Sequence, residues 1–183
     1  MGMIGDHFQY AWEFLMDLEG WGEDHHVQGD PGGRTIWGIS ENNHPDMFRN
    51  GPPDEKQAQR FVRRVYWNPL RLGEVENPKM AAEILEFAYH TSTPERGRPV
   101  LAVRIAQRSV NDVHQRLNKP KIVVDGLIGP QTLGALNDLG TNTVESMAWD
   151  GRFNLHQLKH YRDGVRGNLS RQFFRGWSRR VVA

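Results

Sequence analysis

The sequence predicts an α+β fold, mainly α-helical, with one small β-hairpin or sheet, followed by a small helical module. Three observations carry this. Apolar residues recur at helical spacing over most of the chain; residues 20–40 lack that period and are crowded with glycine; and a second break, at residues 118–129, separates two helical blocks.

The elements follow in order. Phe8, Ala11, Trp12, Leu15 and Glu19 fall at i, i+3, i+4, i+7 and i+11, which predicts a helix over about residues 7–18 with Asp6 and Gln9 as a capping box. The same period puts Glu19 on the apolar face, at the end directed into the core. The glycines between Gly20 and Gly38 permit the tight turns of a hairpin or irregular sheet. A second helix starts after Gly51-Pro52-Pro53 with Asp54 as cap, carries the stripe Ala58, Phe61, Val62, Val65 and Tyr66, and stops at Asn68-Pro69. A third has Asn77 as cap and Pro78 at its first position, and runs through Ile84, Leu85 and Ala88 to about His90. A fourth spans about Pro99 to His114. Lys121 to Val124 then reads as a short extended piece and Asp125-Gly126 as a turn. Pro130 opens a short helix to about Leu139, and two further helices, about 143–163 and 168–181, finish the chain. The expected division is a catalytic domain over 1–115 and a helical module over 116–183, packed together as one compact unit.

Composition narrows the function classes. At 183 residues the chain can bury one sizeable core, and 38% apolar with 25% charged residues argues against disordered and fibrous classes. No apolar run approaches the roughly 18 residues of a membrane helix. Asp6, Glu13 and Asp17 stand where a signal peptide would be uncharged, so synthesis in the cytoplasm without an export signal is expected. With no cysteine there is neither a disulfide framework nor a thiol nucleophile. The net charge of +1 is asymmetric. From Arg152 onward there are eight Lys/Arg against one acid (+7), leaving 15 bases and 21 acids (−6) before it. A basic end of this kind suits an anionic polymer.

The chemistry centres on Glu19. Glycoside hydrolysis needs a carboxylic acid that keeps its proton near neutral pH; burial and the negative end of a helix both favour the neutral form. A second group must act across the bond, with the carboxyls about 5 Å apart for retention or about 6.5–9.5 Å for inversion. Asp30 is the first choice and Asp24 the second, because the glycine-rich segment can fold either back towards Glu19. Thr35 could orient a water. Helices with one small sheet beside such an acid make a lysozyme-like plan.

Glu19-Gly20-Trp21, Asp30-Pro31-Gly32-Gly33-Arg34-Thr35 leading to Trp37-Gly38-Ile39-Ser40, and Tyr66-Trp67-Asn68-Pro69 together resemble the motifs of glycoside hydrolase family 108. These are the N-acetylmuramidases of phage endolysins and of secretion-associated bacterial lysozymes. The resemblance implies that Glu19 is the catalytic acid, with Asp30 and Thr35 in support. It also implies that the substrate is peptidoglycan, cut at the β-1,4 bond between N-acetylmuramic acid and N-acetylglucosamine. Two departures stand out. Trp21 replaces a glycine, and the spacer to Asp30 is about two residues longer than usual. Tyr89 and His90 stand where the family commonly has Val-Asn. Trp21, Tyr66, Tyr89 and His90 are the expected substrate contacts. Val124-Asp125-Gly126-Leu127-Ile128-Gly129-Pro130-Gln131-Thr132 and Phe174-Arg175-Gly176-Trp177 resemble the peptidoglycan-binding module that accompanies the family. Locally, though, Asp-Gly and Gly-Pro need only make a turn and start a helix.

Arg171, Arg175, Arg179 and Arg180 share much of one helix face beside Phe173, Phe174 and Trp177, which suits anionic envelope polymer or outer-membrane lipid. No cofactor and no metal are expected. His156 and His160 sit at i and i+4 without a His-Glu-x-x-His pattern or a third ligand. The expected setting is a monomeric phage endolysin, passing through a holin to the periplasm and wall, with no nucleic-acid partner. The competing reading is a non-catalytic wall-binding or nucleic-acid-binding protein that uses the basic tail.

Overall fold

The computed structural model describes residues 7–26, 33–91, 94 and 100–166. In chain order its elements are α1 (His7–Glu19), β1 (His25–His26), β2 (Arg34–Ile36), β3 (Ile39–Ser40), α2 (Pro45–Phe48), α3 (Glu55–Val62), α4 (Pro78–Thr91), α5 (Leu101–Arg116), α6 (Pro130–Gly140) and α7 (Thr143–Arg166). A π-helical turn, Arg63–Trp67, follows α3, and a 3-10 turn, Leu72–Glu74, precedes α4. This is the lysozyme-like α+β plan that the helical periods and the glycine-rich gap predict.

The centre of the fold is α4. Every residue from Met80 to Ala88 is buried, and the helix is packed by α1, α5 and α7. A helix enclosed on all sides must be apolar all round, and α4 nearly is; Glu83 and Glu86 are its two buried acids. Its start is fixed as the sequence predicts, with Asn77 Oδ1 accepting from the amides of Lys79 at 3.1 Å and Met80 at 3.2 Å. Against it, α1 buries Phe8, Ala11, Trp12 and Leu15 of the expected stripe, and Met16 beside them.

At α3 the Asp54 cap is reciprocal. Its carboxylate accepts from Gln57 N–H and its own N–H donates to the Gln57 side chain, both at 2.7 Å. The single helix expected to reach Asn68 instead changes at Arg63 into the π turn, where Asn68 N–H donates to Arg63 C=O at 2.9 Å. The wider turn inserts one extra residue into the helical repeat, and Tyr66 and Trp67 both end up buried. Trp67 meets Phe8 edge-on, with centroids 5.3 Å apart.

The expected hairpin is a three-stranded antiparallel sheet in the order β1-β2-β3. Ile36 pairs with Ile39 across the two-residue turn Trp37-Gly38, whose φ values of +56° and +73° match the primed turns that follow strand twist. The Trp37 indole N–H donates to Pro53 C=O at 3.0 Å, which fastens this turn to the segment leading into α3.

In the second half α5 packs against α7, α6 and α4. Buried Gln107 organises the 125–132 turn. Its Nε2 shares its two hydrogens among Asp125 Oδ1 (2.8 Å), Leu127 C=O (3.1 Å) and Thr132 Oγ1 (3.0 Å), and its Oε1 accepts from Gly126 N–H (2.8 Å). Asp125, Gly126 and Thr132 therefore have a structural task. Among the described residues, 121–124 have no strand partner; Asn111 bonds both backbone groups of Ile122, and Gln131 accepts from Val123 N–H. Asn137 bridges Glu76 N–H (2.9 Å) and Glu74 C=O (3.0 Å), tying α6 to the entry of α4. The helix expected over 168–181, with Arg171, Arg175, Arg179 and Arg180, lies outside the described residues.

Candidate active site

The site forms where α1 ends. The amides of Gly20 and Trp21 both reach Met16 C=O, at 2.9 and 3.3 Å, and Gly20 turns the chain with φ +85°. Glu19 is thus the last helical residue, held at the rim of the core with its side chain only 13% exposed. Its Oε1 lies 2.6 Å from His90 Nε2 on the last turn of α4. Its Oε2 lies over the Trp37-Gly38 turn, so close that a Cβ on Gly38 would stand 2.7 Å from it and 2.8 Å from Tyr89 Cε1. The turn can approach the carboxyl only because residue 38 has no side chain.

His90 is equally sheltered, at 16% exposure, and its Nδ1 sits 2.9 Å from Glu86 C=O and 3.4 Å from the Glu86 carboxylate. Tyr89 is partly buried, not an open cleft aromatic. Its hydroxyl donates to Trp37 C=O at 3.0 Å, and its ring tilts against Tyr66 with centroids 5.0 Å apart. Burial, then the neighbouring Glu19 and Tyr66, push the Tyr89 phenol well above its ordinary range, so it stays a hydrogen-bond donor.

Tyr89 and His90 border a cavity of about 440 Å³ that is also lined by Gly38, Ile39, Ser40, Asn43, His44, Phe61 and Tyr66; Glu19 reaches it through its contacts with His90 and the Gly38 turn. The lining combines the rings of Phe61, Tyr66 and Tyr89 with hydroxyl, amide and imidazole groups. Burial pushes the His44 imidazole below its ordinary range, which keeps it neutral against the edge of Phe61 at 4.7 Å. Phe61 also lines a second groove, about 500 Å³, with Gln57, Arg60 and Arg64 along it. Phe61 is the residue the two have in common.

Of the residues singled out from the sequence, Glu19, Tyr66, Tyr89 and His90 come together here. Thr35 lies on the middle strand in register with Ser40, a cavity residue, but does not itself line the cavity. Trp21 is 48% exposed and donates to Asp17 at 2.7 Å, outside the cavity. Asp24 is held by Arg34 in a two-pronged ion pair, Nη2 to Oδ2 2.7 Å, so its carboxylate is turned to structure. Asp30 falls outside the described residues. His156 bonds Asp112 at 3.1 Å and His160 packs edge-on against Phe87.

A recessed glutamate at a helix end, a small sheet folded over it and a cavity beside it form the frame of a glycan-cleaving enzyme. The sequence comparison agrees: residues 12–91 match Glycosyl hydrolase 108. The chain carries a glycoside hydrolase family 108 domain. Residues 101–182 match the Predicted Peptidoglycan domain, so the partner of this hydrolase is peptidoglycan. The solved structure of SagA from Brucella abortus is similar over 96% of this chain and 89% of its own, at 21% identity and a TM-score of 0.64, a likeness of fold. No curated protein matches the sequence.

Sequence reasoning missed Ser40, Asn43, His44, Phe61 and Glu86. Phe61 is legible as a core residue, yet it is both core and cavity wall. The polar run Ser40 to His44 precedes a proline and reads as loop, and only its fold back over α3 brings it to the site.

Proposed function

We propose that this family 108 peptidoglycan hydrolase is an N-acetylmuramidase, cutting the β-1,4 bond between N-acetylmuramic acid and N-acetylglucosamine with Glu19 as general acid. One observation carries the reading: a recessed carboxyl with one oxygen held by His90 and the other facing the glycine turn that borders the cavity. Proton donation to the leaving sugar requires a positioned group of this kind. Phe61, Tyr66 and Tyr89 give the cavity an apolar edge, and Ser40, Asn43 and His44 suit the hydroxyls and acetamido group of a sugar. Asp30 is assigned as the group acting on the anomeric carbon, with Thr35 orienting water.

The test is to digest purified sacculi, reduce the products with borohydride and identify the reduced sugar by mass spectrometry. Muramitol ends support the reading; glucosaminitol ends would move the cut to the other bond, and no new ends would remove the activity. The role in host lysis rests on the expected cytoplasmic synthesis. Expressed in a host alone and together with a membrane pore, the protein should lyse only with the pore. Attachment of the Arg171, Arg175, Arg179 and Arg180 segment to anionic envelope polymer should weaken steeply with salt and be lost on truncation at residue 166.

A further inference from the structure

We propose that His90 is a positioning residue that keeps a proton at Glu19, so that the two side chains act as one acid. The proposal rests on the reading of Glu19 as general acid and adds how that acid stays loaded.

The ring's other nitrogen decides what Nε2 can do. His90 Nδ1 lies 2.9 Å from the backbone carbonyl of Glu86, and a carbonyl oxygen only accepts. Nδ1 therefore carries hydrogen in every protonation state that keeps this bond. A neutral imidazole so fixed presents a bare lone pair at Nε2, the atom 2.6 Å from Glu19 Oε1. That lone pair can accept only from a protonated carboxyl, and the alternative, an imidazolium donating to a carboxylate, also contains one shared proton. With no proton between them, a carboxylate would face a lone pair at hydrogen-bond distance inside a sheltered site. The contact is complete only when the pair is loaded.

The surrounding groups fit the same logic. Glu86, buried on the same helix, places its carboxylate 3.4 Å from Nδ1 and favours positive charge on the ring. Tyr89, also on α4, keeps its phenol proton because burial holds it well above its ordinary range; Tyr66 from the π turn packs on it, and His44 belongs to the same lining. Two carboxylates thus stand against the His90 ring, Glu19 from α1 and Glu86 from α4. Because Glu19 and His90 titrate together, the proton-loss step belongs to the pair.

In the reaction the pair gives its proton to the glycosidic oxygen. An O–H bond forms, the C1–O bond breaks with its electrons remaining on that oxygen, and a Glu19 carboxylate beside a neutral His90 is left. Water supplies hydroxide to C1, and its proton reloads the pair. An Asn at position 90 presents an amide N–H instead of a lone pair. It would stabilise the carboxylate and release the proton earlier.

Two measurements test this. In nitrogen-15 NMR of the full chain without substrate, the His90 titration midpoint should fall by at least about one pH unit in Glu19→Gln, since the carboxylate that favours the imidazolium is gone. The alkaline limb of kcat/KM on solubilised glycan should move to lower pH by at least about one unit in His90→Asn, with KM changed less than threefold and the thermal transition retained. A structural role alone would lower kcat evenly across pH. An alkaline limb unmoved in His90→Asn, or a His90 midpoint insensitive to Glu19→Gln, would overturn the proposal. If no variant and no wild type cuts glycan, the hydrolase reading fails by itself, and the NMR arm still decides whether the pair shares a proton.

Discussion

Replacing Gly38 by alanine probes fold and chemistry at one atom. The residue has φ +73°, and its Cβ would stand 2.7 Å from Glu19 Oε2 and 2.8 Å from Tyr89 Cε1. A side chain at positive φ costs about 1–2 kcal/mol, and forcing a methyl into occupied space adds about 1–3 kcal/mol. The sum is about 2–5 kcal/mol, or a drop in Tm of about 4–20 °C for a chain of this size. The contacted atom belongs to the acid, so activity should fall as well, by about 100-fold for a displacement of order 1 Å. Gly51→Ala separates the two causes. Gly51 has φ +100°, and a methyl there would meet nothing within 4 Å, so this variant should lose only the backbone part, about 1–2 kcal/mol. The assays are thermal unfolding of both variants and initial rates on purified sacculi for Gly38→Ala. A Gly38→Ala protein as stable as Gly51→Ala and as active as wild type would refute the close approach of the turn to Glu19.

Three further outcomes follow from the packing. Burial, then Asp150, push the Glu83 carboxyl up to about 9, while Lys79 opposes the shift. The folded state thus holds this proton after the unfolded chain has released it, so the stabilisation is full below the ordinary carboxylate range and declines as pH rises towards 9. Wild type should lose stability relative to Glu83→Gln between about pH 5 and 8 in urea titrations, and a difference between the two that does not change with pH would contradict this. Gln107→Leu removes four hydrogen bonds from the 125–132 turn and should cost about 2–4 kcal/mol by denaturant unfolding; a loss below about 0.5 kcal/mol would deny Gln107 its organising part. Asp54→Ala breaks the reciprocal cap of α3 and should cost about 1 kcal/mol, and no change in the chemical midpoint would dismiss it.

Much of this architecture is legible in the residues because local rules decide it. The period from Phe8 to Glu19 both builds α1 and aims its last carboxyl, and Asp54, Asn77 and Pro130 start their helices as capping chemistry requires. What escapes is what depends on partners distant in sequence. A helical stripe through Tyr66 cannot reveal that the chain widens into a π turn, because the wider turn is selected by packing Trp67 on Phe8 and Tyr66 on Tyr89. The acid's neighbour is another case. His90 is visible as a departure from a family motif and reads as a sugar contact, but only the crossing of α1 and α4 brings its Nε2 to Glu19. Asp24 is open in the sequence as an alternative to Asp30; in the fold Arg34, ten residues on, takes its carboxylate.

The central claim is that Glu19 delivers the proton to the leaving sugar. Its most direct measurement is the initial rate of reducing-end release from purified sacculi by Glu19→Gln, with the unfolding transition of the variant recorded alongside. The amide keeps the size of the side chain but has no acid proton. A fall of about 10²–10⁴-fold with the transition retained is the expected result. A folded Glu19→Gln protein that cuts within about threefold of the wild-type rate would contradict the account.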